Sequence, residues 1–365
     1  MKIVSVVGAR PNFIKISPLI EEMAKYPALK TCLVHTGQHY DREMDRVFFE
    51  DLSVPEPDVN LEVGSGTHTY QTAEIMKAIE PVLAREKPDL VLVVGDVNST
   101  LAAGLTAAKM HIPIAHIEAG LRSFDKEMPE EINRLLTDHI SDFLFVTEEA
   151  GARNLRKEGI PSSKVFLVGN VMIDVLIKNR PRIDKRKVLE ELGLAASSYG
   201  LLTLHRPSNV DEKDTLRKIL RLMAEITASF PLVFPIHPRT RKRLKEFNLL
   251  KEINEIEGLK KCEPLGYLDF LKLMSEAKFV ITDSGGIQNE TTFLGIPCLI
   301  LRTTTEHLAS IKIGTNFLVG LDKDKVIQGV HKALSAPGQK PPEVPYWDGR
   351  AAQRILGILS RAFGF

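Results

Sequence analysis

Short, continuously apolar runs alternate with segments of helical periodicity along almost the whole 365-residue chain. A run without polar alternation is typical of a strand covered on both faces, as in parallel sheets flanked by helices. Six such runs occur in each half of the chain. They comprise residues 3–7, 32–35, 90–94, 114–117, 143–146 and 164–168, then 201–204, 232–236, 259–262, 279–282, 298–301 and 317–319. The pattern predicts an α/β fold with two Rossmann-like, doubly wound domains of similar size.

Helices are predicted where apolar residues recur at helical spacing between these strands. The clearest segments are residues 70–86, 131–140, 214–230, 268–277 and 350–363. Pro81 interrupts the first of them, and we expect a kink or a restart there because proline lacks a backbone donor. We expect the boundary between the two domains near Gly169 and Asn170.

The stretch T-D-S-G-G-I-Q-N-E, residues 282–290, reads as a strand end, a tight turn and the start of a helix. Asp283 or Ser284 could cap this helix, and Gly285 and Gly286 leave its first backbone N–H groups uncovered. Such groups at the positive end of a helix form a site for a phosphate, and Glu290 is spaced to accept a hydrogen bond from a ribose hydroxyl. An ordinary turn that required glycine explains the same residues.

Polar residues after the first-half strands are candidates for chemistry, because ligands of open α/β sheets lie beyond the carboxyl ends of the strands. Arg10 and Lys15 follow the first strand and are spaced to reach one anion, although both also suit the surface of a helix start. Asp96 and Glu118 follow two later strands, and Glu130 opens the next helix. Each acid has a structural explanation, such as an N-cap, but three gathered carboxylates indicate tuned acids and bases.

In the second half, two histidines stand beside arginines or prolines at strand ends, as His205-Arg206 and His237-Pro238-Arg239. One histidine after a strand is usually a satisfied polar residue, whereas two such clusters favour anion handling. Phe270 could stack on a base, although an aromatic at helical spacing is more often part of the core.

The amino-acid composition argues against several classes of binding partner. Lys and Arg number 48 and Asp and Glu 47, so a formal net charge of +1 gives no reason to expect nucleic acid. No apolar run approaches the roughly 18 residues that span a bilayer, and none near Met1 suits a signal peptide. Cys32, Cys262 and Cys298 stand far apart, as free thiols in a reducing compartment do. We therefore expect a cytoplasmic protein that has no metal and binds no membrane.

Known nucleotide-binding motifs are missing from the sequence. No G-x-G-x-x-G follows the first strand and no G-x-x-x-x-G-K-[ST] occurs, so we expect no dinucleotide cofactor. The remaining pattern is an anion-lined cleft between two α/β domains, with acids on one wall and a phosphate site on the other. This favours a nucleotide-linked ligand.

An ordered set of motifs resembles the non-hydrolysing UDP-N-acetylglucosamine 2-epimerases. They are G-A-R-P-x-x-I-K, G-D-x-x-S-T, H-I-E-A-G-L-R-S, M-P-E-E-I-N-R, L-H-R-P-x-N-V and T-D-S-G-G-I-Q-x-E. The resemblance implies a glycosyltransferase B type fold with the UDP-sugar in the interdomain cleft, a homodimer, and a role in cell-envelope polysaccharide synthesis. It also implies that residues 346–365 return to the first domain, residues 1–168, and that residues 169–345 bind UDP.

The same resemblance implies roles for individual residues. Catalysis would fall to Asp96, Glu118, Glu130 and His205. The diphosphate would be held by Arg10, Lys15, Ser284, Gly285 and Gly286. Phe270 and the Leu265 backbone would face uracil, and Glu290 would face the ribose. We add Arg206, His237 and His307 as substrate-binding candidates from their positions in the sequence. His307 replaces an arginine that the family usually carries after T-T-T-E.

The chemistry of the resemblance is the elimination of UDP across C1–C2, giving 2-acetamidoglucal, and its re-addition with the proton on the opposite face. Four alternatives remain open at this point: a sibling epimerase acting on UDP-diacetamido-glucuronic acid, a glycosyltransferase of the same fold, a hydrolysing relative, and a silent sugar-nucleotide sensor. The sibling would share almost every motif, and we expect His307 and residues 122–128 to carry that difference.

Overall fold

The residues of the chain divide between two structural units. The computed structural model describes residues 1–38, 51–52, 54–335 and 341–365. Residues Met1–Lys178 and Val344–Phe365 form the first unit, and Asn179–Glu343 form the second. The boundary lies ten residues beyond the predicted one, inside a helix (Val171–Asp184) whose first half is tied to the first unit.

The first unit is built on a parallel sheet of seven strands in the order β3-β2-β1-β4-β5-β6-β7. The strands are β1 (Lys2–Val7), β2 (Lys30–His35), β3 (Val59–Asn60), β4 (Leu90–Val94), β5 (Ile114–Ala119), β6 (Phe143–Val146) and β7 (Val165–Leu167). All six apolar runs of the first half are confirmed as strands. The prediction missed β3, which has two residues and no apolar run of its own.

The second unit is built on a parallel sheet of six strands in the order β10-β9-β8-β11-β12-β13. The strands are β8 (Gly200–Thr203), β9 (Leu232–Pro235), β10 (Leu259–Cys262), β11 (Phe279–Thr282), β12 (Cys298–Ile300) and β13 (Asn316–Leu318). Each matches a predicted run. The order reverses between β8 and β11 here, and between β1 and β4 in the first sheet, so the predicted α/β fold is confirmed.

Helices connect the strands of both sheets. The first unit contains α1 (Arg10–Met23), α2 (His68–Glu86), α3 (Asn98–Lys109), α4 (Pro129–Ile140), α5 (Glu149–Lys157) and a 3-10 turn (Ser162–Lys164). Next come α6 (Val171–Asp184), α7 (Val188–Glu191), α8 (Pro207–Val210), α9 (Lys213–Thr227), α10 (Pro238–Glu246), α11 (Leu250–Asn254) and α12 (Tyr267–Ser275). The last are α13 (Gly286–Leu294), α14 (Leu308–Ile313), α15 (Lys323–Ser335) and α16 (Ala351–Phe363). The predicted helices all form, and α2 runs through Pro81 without a restart.

The C-terminal helix α16 belongs to the first unit and is anchored by Asp174 of α6. The Asp174 carboxylate accepts hydrogen bonds from the backbone N–H groups of Ala351 at 3.1 Å and Ala352 at 2.8 Å. These are among the first-turn donors of a helix that no intrahelical acceptor satisfies. The indole N–H of Trp347 adds a bond of 3.2 Å to the carbonyl oxygen of Thr147. Within the described residues, no helix combines the length and apolar character needed to cross a membrane.

Asp174 should make stability depend on pH. Burial raises its pKa to about 6, although the bonds from Ala352 and Ala351 lower it. A folded-state pKa above the unfolded value of 3.8 means that this group stabilises the fold at low pH, and the contribution is lost as pH rises through 6. For Asp174→Asn, which cannot ionise, the free energy of unfolding relative to wild type should rise by about 3 kcal/mol from acid to neutral pH. Urea unfolding at several pH values measures this difference, and a difference that stays constant with pH contradicts the assignment.

Candidate active site

The structure brings two of the predicted acids together at the carboxyl ends of β4 and β5. Asp96 follows β4 by two residues, and Glu118 lies in β5 with a φ of 71°, where the register with β6 shifts. Lys15, from the second turn of α1, forms an ion pair with Glu118. A methyl group on Gly95 would lie 3.1 Å from the Lys15 amine and 3.6 Å from Glu118 Oε2. The ion pair therefore packs closely against Gly95, with little room for a side chain there.

Lys15 keeps its charge between the two acids. Burial lowers its pKa, but the charges of Glu118 and Asp96 raise it by more, so that the net shift is upward. The resemblance gave Lys15 to the diphosphate, and in this structure its amine is paired with Glu118. Arg10, the first residue of α1, is half-buried.

Arg134 of α4 contacts one of the two candidate acids and was not predicted from the sequence. Its guanidinium lies 2.8 Å from Asp96 Oδ2 and also pairs with Glu131. Glu131 in turn accepts backbone N–H bonds of 2.9 Å from Ser123 and Phe124, which fixes the loop between β5 and α4. The neighbouring acid, Glu130, is half-buried in the first turn of α4. Arg134 therefore connects Asp96 to the helix start that carries Glu130.

The glycine turn of the second unit lacks the predicted cap. No side chain of the described residues caps α13, which begins directly after Gly285. The prediction that Asp283 or Ser284 caps it is wrong, because the Asp283 side chain points to the residues that follow the neighbouring strand β8. Its carboxylate accepts backbone N–H bonds from His205 at 3.0 Å and Arg206 at 2.9 Å. The first-turn N–H groups of α13 are thus left without a side-chain acceptor, as a phosphate site requires.

Asp283 holds His205 beside His237. The carboxylate lies 3.1 Å from Nδ1 of His205, and burial raises its pKa while His205 and the backbone N–H groups lower it by more. The centroids of the His205 and His237 rings are 5.2 Å apart. His237 also caps α10, accepting from the N–H of Arg239 at 3.2 Å. The two histidines, which follow different strands in sequence, therefore lie side by side.

Glu306 and His307 lie against the glycine turn. A methyl group on Gly285 would lie 2.5 Å from Glu306 Oε1 and 3.4 Å from His307 Nε2, whereas Gly286 has open space around it. The buried guanidinium of Arg302 holds Glu306 at 2.9 Å. Gln288 connects the loop that carries Glu306 and His307 to the start of α13. Its Oε1 accepts a hydrogen bond from the Thr305 hydroxyl at 2.7 Å, and its Nε2 donates to the carbonyl oxygen of Ser284 at 3.1 Å.

Glu290 is buried and already has one partner. The hydroxyl of Tyr267 donates to its Oε1 at 2.7 Å. Burial raises the pKa of Glu290 to about 7, against the lowering effect of the Tyr267 bond. Leu265 precedes α12 and Phe270 lies within it, and both side chains are half-buried. Tyr267 was not among the predicted site residues; its position three residues before Phe270 was the available signal.

These features define a class of protein. Two parallel α/β sheets carry a pair of carboxylates between fixed cations in one unit and an uncapped helix start at a glycine turn in the other. This is an enzyme architecture suited to ligands that carry phosphate, and its structural neighbours have the glycosyltransferase B-like arrangement.

The chain belongs to the UDP-N-acetylglucosamine 2-epimerase family, whose model matches residues 21–360. This confirms the resemblance seen in the motifs. A UDP-N-acetylglucosamine 2-epimerase homolog of Methanococcus maripaludis is 45% identical over 98% of this chain and 99% of that relative. The UDP-2,3-diacetamido-2,3-dideoxy-D-glucuronate 2-epimerase of Pseudomonas aeruginosa is 40% identical over 99% of this chain and 100% of that relative.

A solved structure agrees with the sequence relatives. The crystal structure of Methanocaldococcus jannaschii UDP-GlcNAc 2-epimerase, in complex with UDP-GlcNAc and UDP, superposes with a TM-score of 0.93. It is 44% identical in sequence, and the alignment covers 99% of this chain and 100% of that one.

Proposed function

We propose that this protein interconverts UDP-N-acetylglucosamine and UDP-N-acetylmannosamine without hydrolysis. The observation that carries the proposal is the pair Asp96 and Glu118, held at neighbouring strand ends by Arg134 and Lys15. Membership of the 2-epimerase family supports the reaction class. The elimination route explains why a pair of acids is needed.

The C2–H bond of the sugar has no neighbouring carbonyl group to acidify it. In the proposed first step a carboxylate removes the C2 proton while the C1–O bond breaks, which gives 2-acetamidoglucal and UDP. Re-addition of UDP at C1, with a proton delivered to the other face of C2, gives the epimer. Acid–base groups on both faces serve this sequence, and we assign the proton transfers to Asp96, Glu118 and Glu130.

The second unit is proposed to hold UDP. The uncapped start of α13, at Ser284, Gly285 and Gly286, suits the diphosphate. Arg10 is assigned to substrate binding as a cation. Phe270 and the Leu265 backbone are assigned to uracil, and Glu290 to the ribose. His205 is assigned to the leaving-group end. Its neighbours Arg206 and His237, and the loop residue His307, are assigned to the substrate.

Proton NMR of the purified protein with UDP-N-acetylglucosamine in deuterated water tests the function. We expect the manno epimer to appear, with deuterium entering C2 of both sugars. Formation of free N-acetylmannosamine with UDP would instead indicate a hydrolysing enzyme. One unchanged epimer that keeps its C2 hydrogen would exclude the elimination route.

A second candidate substrate is a UDP-2,3-diacetamido-2,3-dideoxyglucuronic acid, since a relative of that name is 40% identical over the whole chain. The carboxylate of the glucuronic acid sugar would require a cation or a hydrogen-bond donor in the site. His307 is the residue at which we expect enzymes for the two sugars to differ. Side-by-side assays of kcat/KM on both UDP-sugars distinguish the two. Faster turnover of the glucuronic acid sugar would make it the substrate.

We also propose that the enzyme is a homodimer and acts in the cytoplasm. Ile132 and Leu136 lie one turn apart on α4 with 46% and 49% of their surfaces exposed, and Tyr70 of α2 is 57% exposed. Exposed apolar side chains of this kind suit an interface between two copies. The thiols of Cys32 and Cys298 are free and buried, which suits a reducing compartment. Analytical ultracentrifugation tests the dimer.

Glu290 should make substrate binding depend on pH. Its pKa of about 7 means that the carboxylate is mostly protonated at pH 6 and ionised at pH 8. If the ionised form accepts a ribose hydroxyl, KM for UDP-N-acetylglucosamine should fall as pH rises through 7. Glu290→Gln should raise KM roughly tenfold at pH 8, since a charged acceptor is lost, and should flatten the profile. A KM in this variant equal to that of wild type at pH 8 would remove Glu290 from the site.

A further inference from the structure

A buried His116–Asp138 pair lies behind the strand ends that carry Asp96 and Glu118. His116 belongs to β5, and its side chain is fully buried. Its Nδ1 lies 2.7 Å from Asp138 Oδ1, and its Nε2 lies 2.8 Å from the carbonyl oxygen of Gly95. One imidazole thus connects the turn after β4 with helix α4.

Asp138 connects the same point to the end of β5. Its Oδ2 accepts the backbone N–H of Gly120 at 3.0 Å and pairs with Arg122 Nη1 at 2.7 Å. Asp96 comes directly after Gly95, and Glu118 stands two residues before Gly120. A continuous hydrogen-bonded chain therefore runs from Gly95 through His116 and Asp138 to Gly120, and each end adjoins one of the two acids.

The backbone near both ends adopts left-handed conformations, which glycine takes freely and glutamate does not. Gly95 and Gly120 have φ values of 70° and 79°, and Glu118 has 71° although it is not glycine. A left-handed conformation costs energy in a residue with a side chain and persists where its surroundings impose it. The hydrogen bond that the N–H of Gly120 donates to Asp138 fixes the backbone two residues after Glu118.

Asp138 is the charged member of this connection. Both nitrogens of His116 face acceptor oxygens. Burial raises the pKa of Asp138, but His116 and Arg122 lower it by more, so the carboxylate is the anion. Buried ion pairs are often no more stabilising than apolar residues of the same shape, so stability alone is a weak reason for this one.

We propose that His116 and Asp138 are positioning residues for catalysis: they lock the backbone after β4 to the backbone after β5 and so set the separation of Asp96 and Glu118. The inference rests on the proposed acid–base function of those two carboxylates. Proton transfer to and from one carbon demands that both acids be held at fixed places, and a displacement of about 1 Å costs about 100-fold in rate.

His116→Gln and Asp138→Asn test the proposal, since both replacements are neutral and each breaks the connection. We expect kcat for the interconversion of the UDP-sugars to fall about 100-fold with KM changed less than about threefold, because the nucleotide-binding residues are untouched. Deuterium entry at C2 should fall in parallel. A merely structural role would lower the melting temperature and the active fraction but leave the kcat of folded enzyme unchanged.

Two matched variants control for loss of stability. Glu158→Gln removes the outer partner of Arg122, 2.7 Å from its Nη2, and leaves the chain from Gly95 to Gly120 intact. Tyr199→Phe removes a buried hydroxyl that donates to the carbonyl oxygen of Leu273 at 2.6 Å in the second unit. Both should keep the kcat of wild type even where their melting temperatures fall as far as those of the test variants.

The outcomes separate the two proposals. If wild type fails to interconvert the UDP-sugars, the proposed function is wrong. If wild type is active and both test variants keep kcat within about threefold, the positioning role is wrong. Should neither variant fold, a crystal structure of wild type with UDP-N-acetylglucosamine decides. We expect an oxygen of Asp96 or Glu118 at about 3.5 Å from C2, with the hydrogen-bonded chain intact. A complex with that chain broken overturns the inference.

Discussion

Glu118→Gln is expected to lower kcat for epimerisation about 1,000-fold, within the range that general acid–base groups contribute. The amide keeps the shape of the side chain but neither removes nor delivers a proton. In the folded protein Glu118 is 6% exposed and ion-paired with Lys15, so no bulk water replaces it as a base. Deuterium entry at C2 from deuterated water should slow with the overall reaction, because both require the same proton transfer.

The matched control for this variant is Glu149→Gln, at the start of α5. Glu149 is 55% exposed and its partner Arg156 is 52% exposed, so the same change should leave kcat and KM near wild type. Asp96→Asn, made in parallel, distinguishes the roles of the two acids. If they act on opposite faces of C2, one variant should mainly slow deuterium exchange at C2 of the gluco epimer and the other should mainly slow exchange at C2 of the manno epimer. Full exchange in Glu118→Gln, Asp96→Asn and Glu130→Gln alike would refute the assignment.

The fold was readable from the sequence because each strand is buried on both faces. Runs such as residues 90–94 and 279–282 are apolar throughout and match β4 and β11 to the residue. Strand β3 was missed because a pair of residues at a sheet edge, here Val59 and Asn60, carries no pattern of its own. Helix α2 continues through Pro81 because packing of a long amphipathic helix outweighs one missing donor.

The sequence offers candidate site residues only where polar residues follow strands directly. Asp96, His205 and His237 are candidates of this kind. His116 lies inside a strand and Arg134 inside a helix, so strand-end reasoning did not find them. Their long-range partners, Asp138 and Asp96, are 22 and 38 residues away in sequence. One signal was available: His116 is a polar residue in an otherwise apolar run, two residues before Glu118. Asp283 was read as a local cap because its long-range partners, His205 and Arg206, are invisible from local sequence.

Two adjacent glycines allow a sharper test of the proposed diphosphate site. Gly285 has a φ of −74°, which alanine adopts freely, but a methyl group there would lie 2.5 Å from Glu306 Oε1. Gly285→Ala must shift the carboxylate of Glu306, which Arg302 holds at 2.9 Å. We expect a destabilisation of about 1–3 kcal/mol, as for overpacked sites, together with a KM for the UDP-sugar raised more than about tenfold.

Gly286→Ala is the informative partner of that variant. No atom lies within 4 Å of a methyl group at this position, so the substrate-free protein should be unchanged or slightly more stable. A diphosphate seated on the first N–H groups of α13 would meet the new methyl group, and we expect KM to rise about tenfold while kcat stays near wild type. Gly357→Ala in α16, where the nearest atom is 3.9 Å away, is the control and should leave KM unchanged. KM is measured alongside thermal melts of all three variants. An unchanged KM in Gly286→Ala would show that the diphosphate does not bind at this turn, because a bound diphosphate would contact the added methyl group.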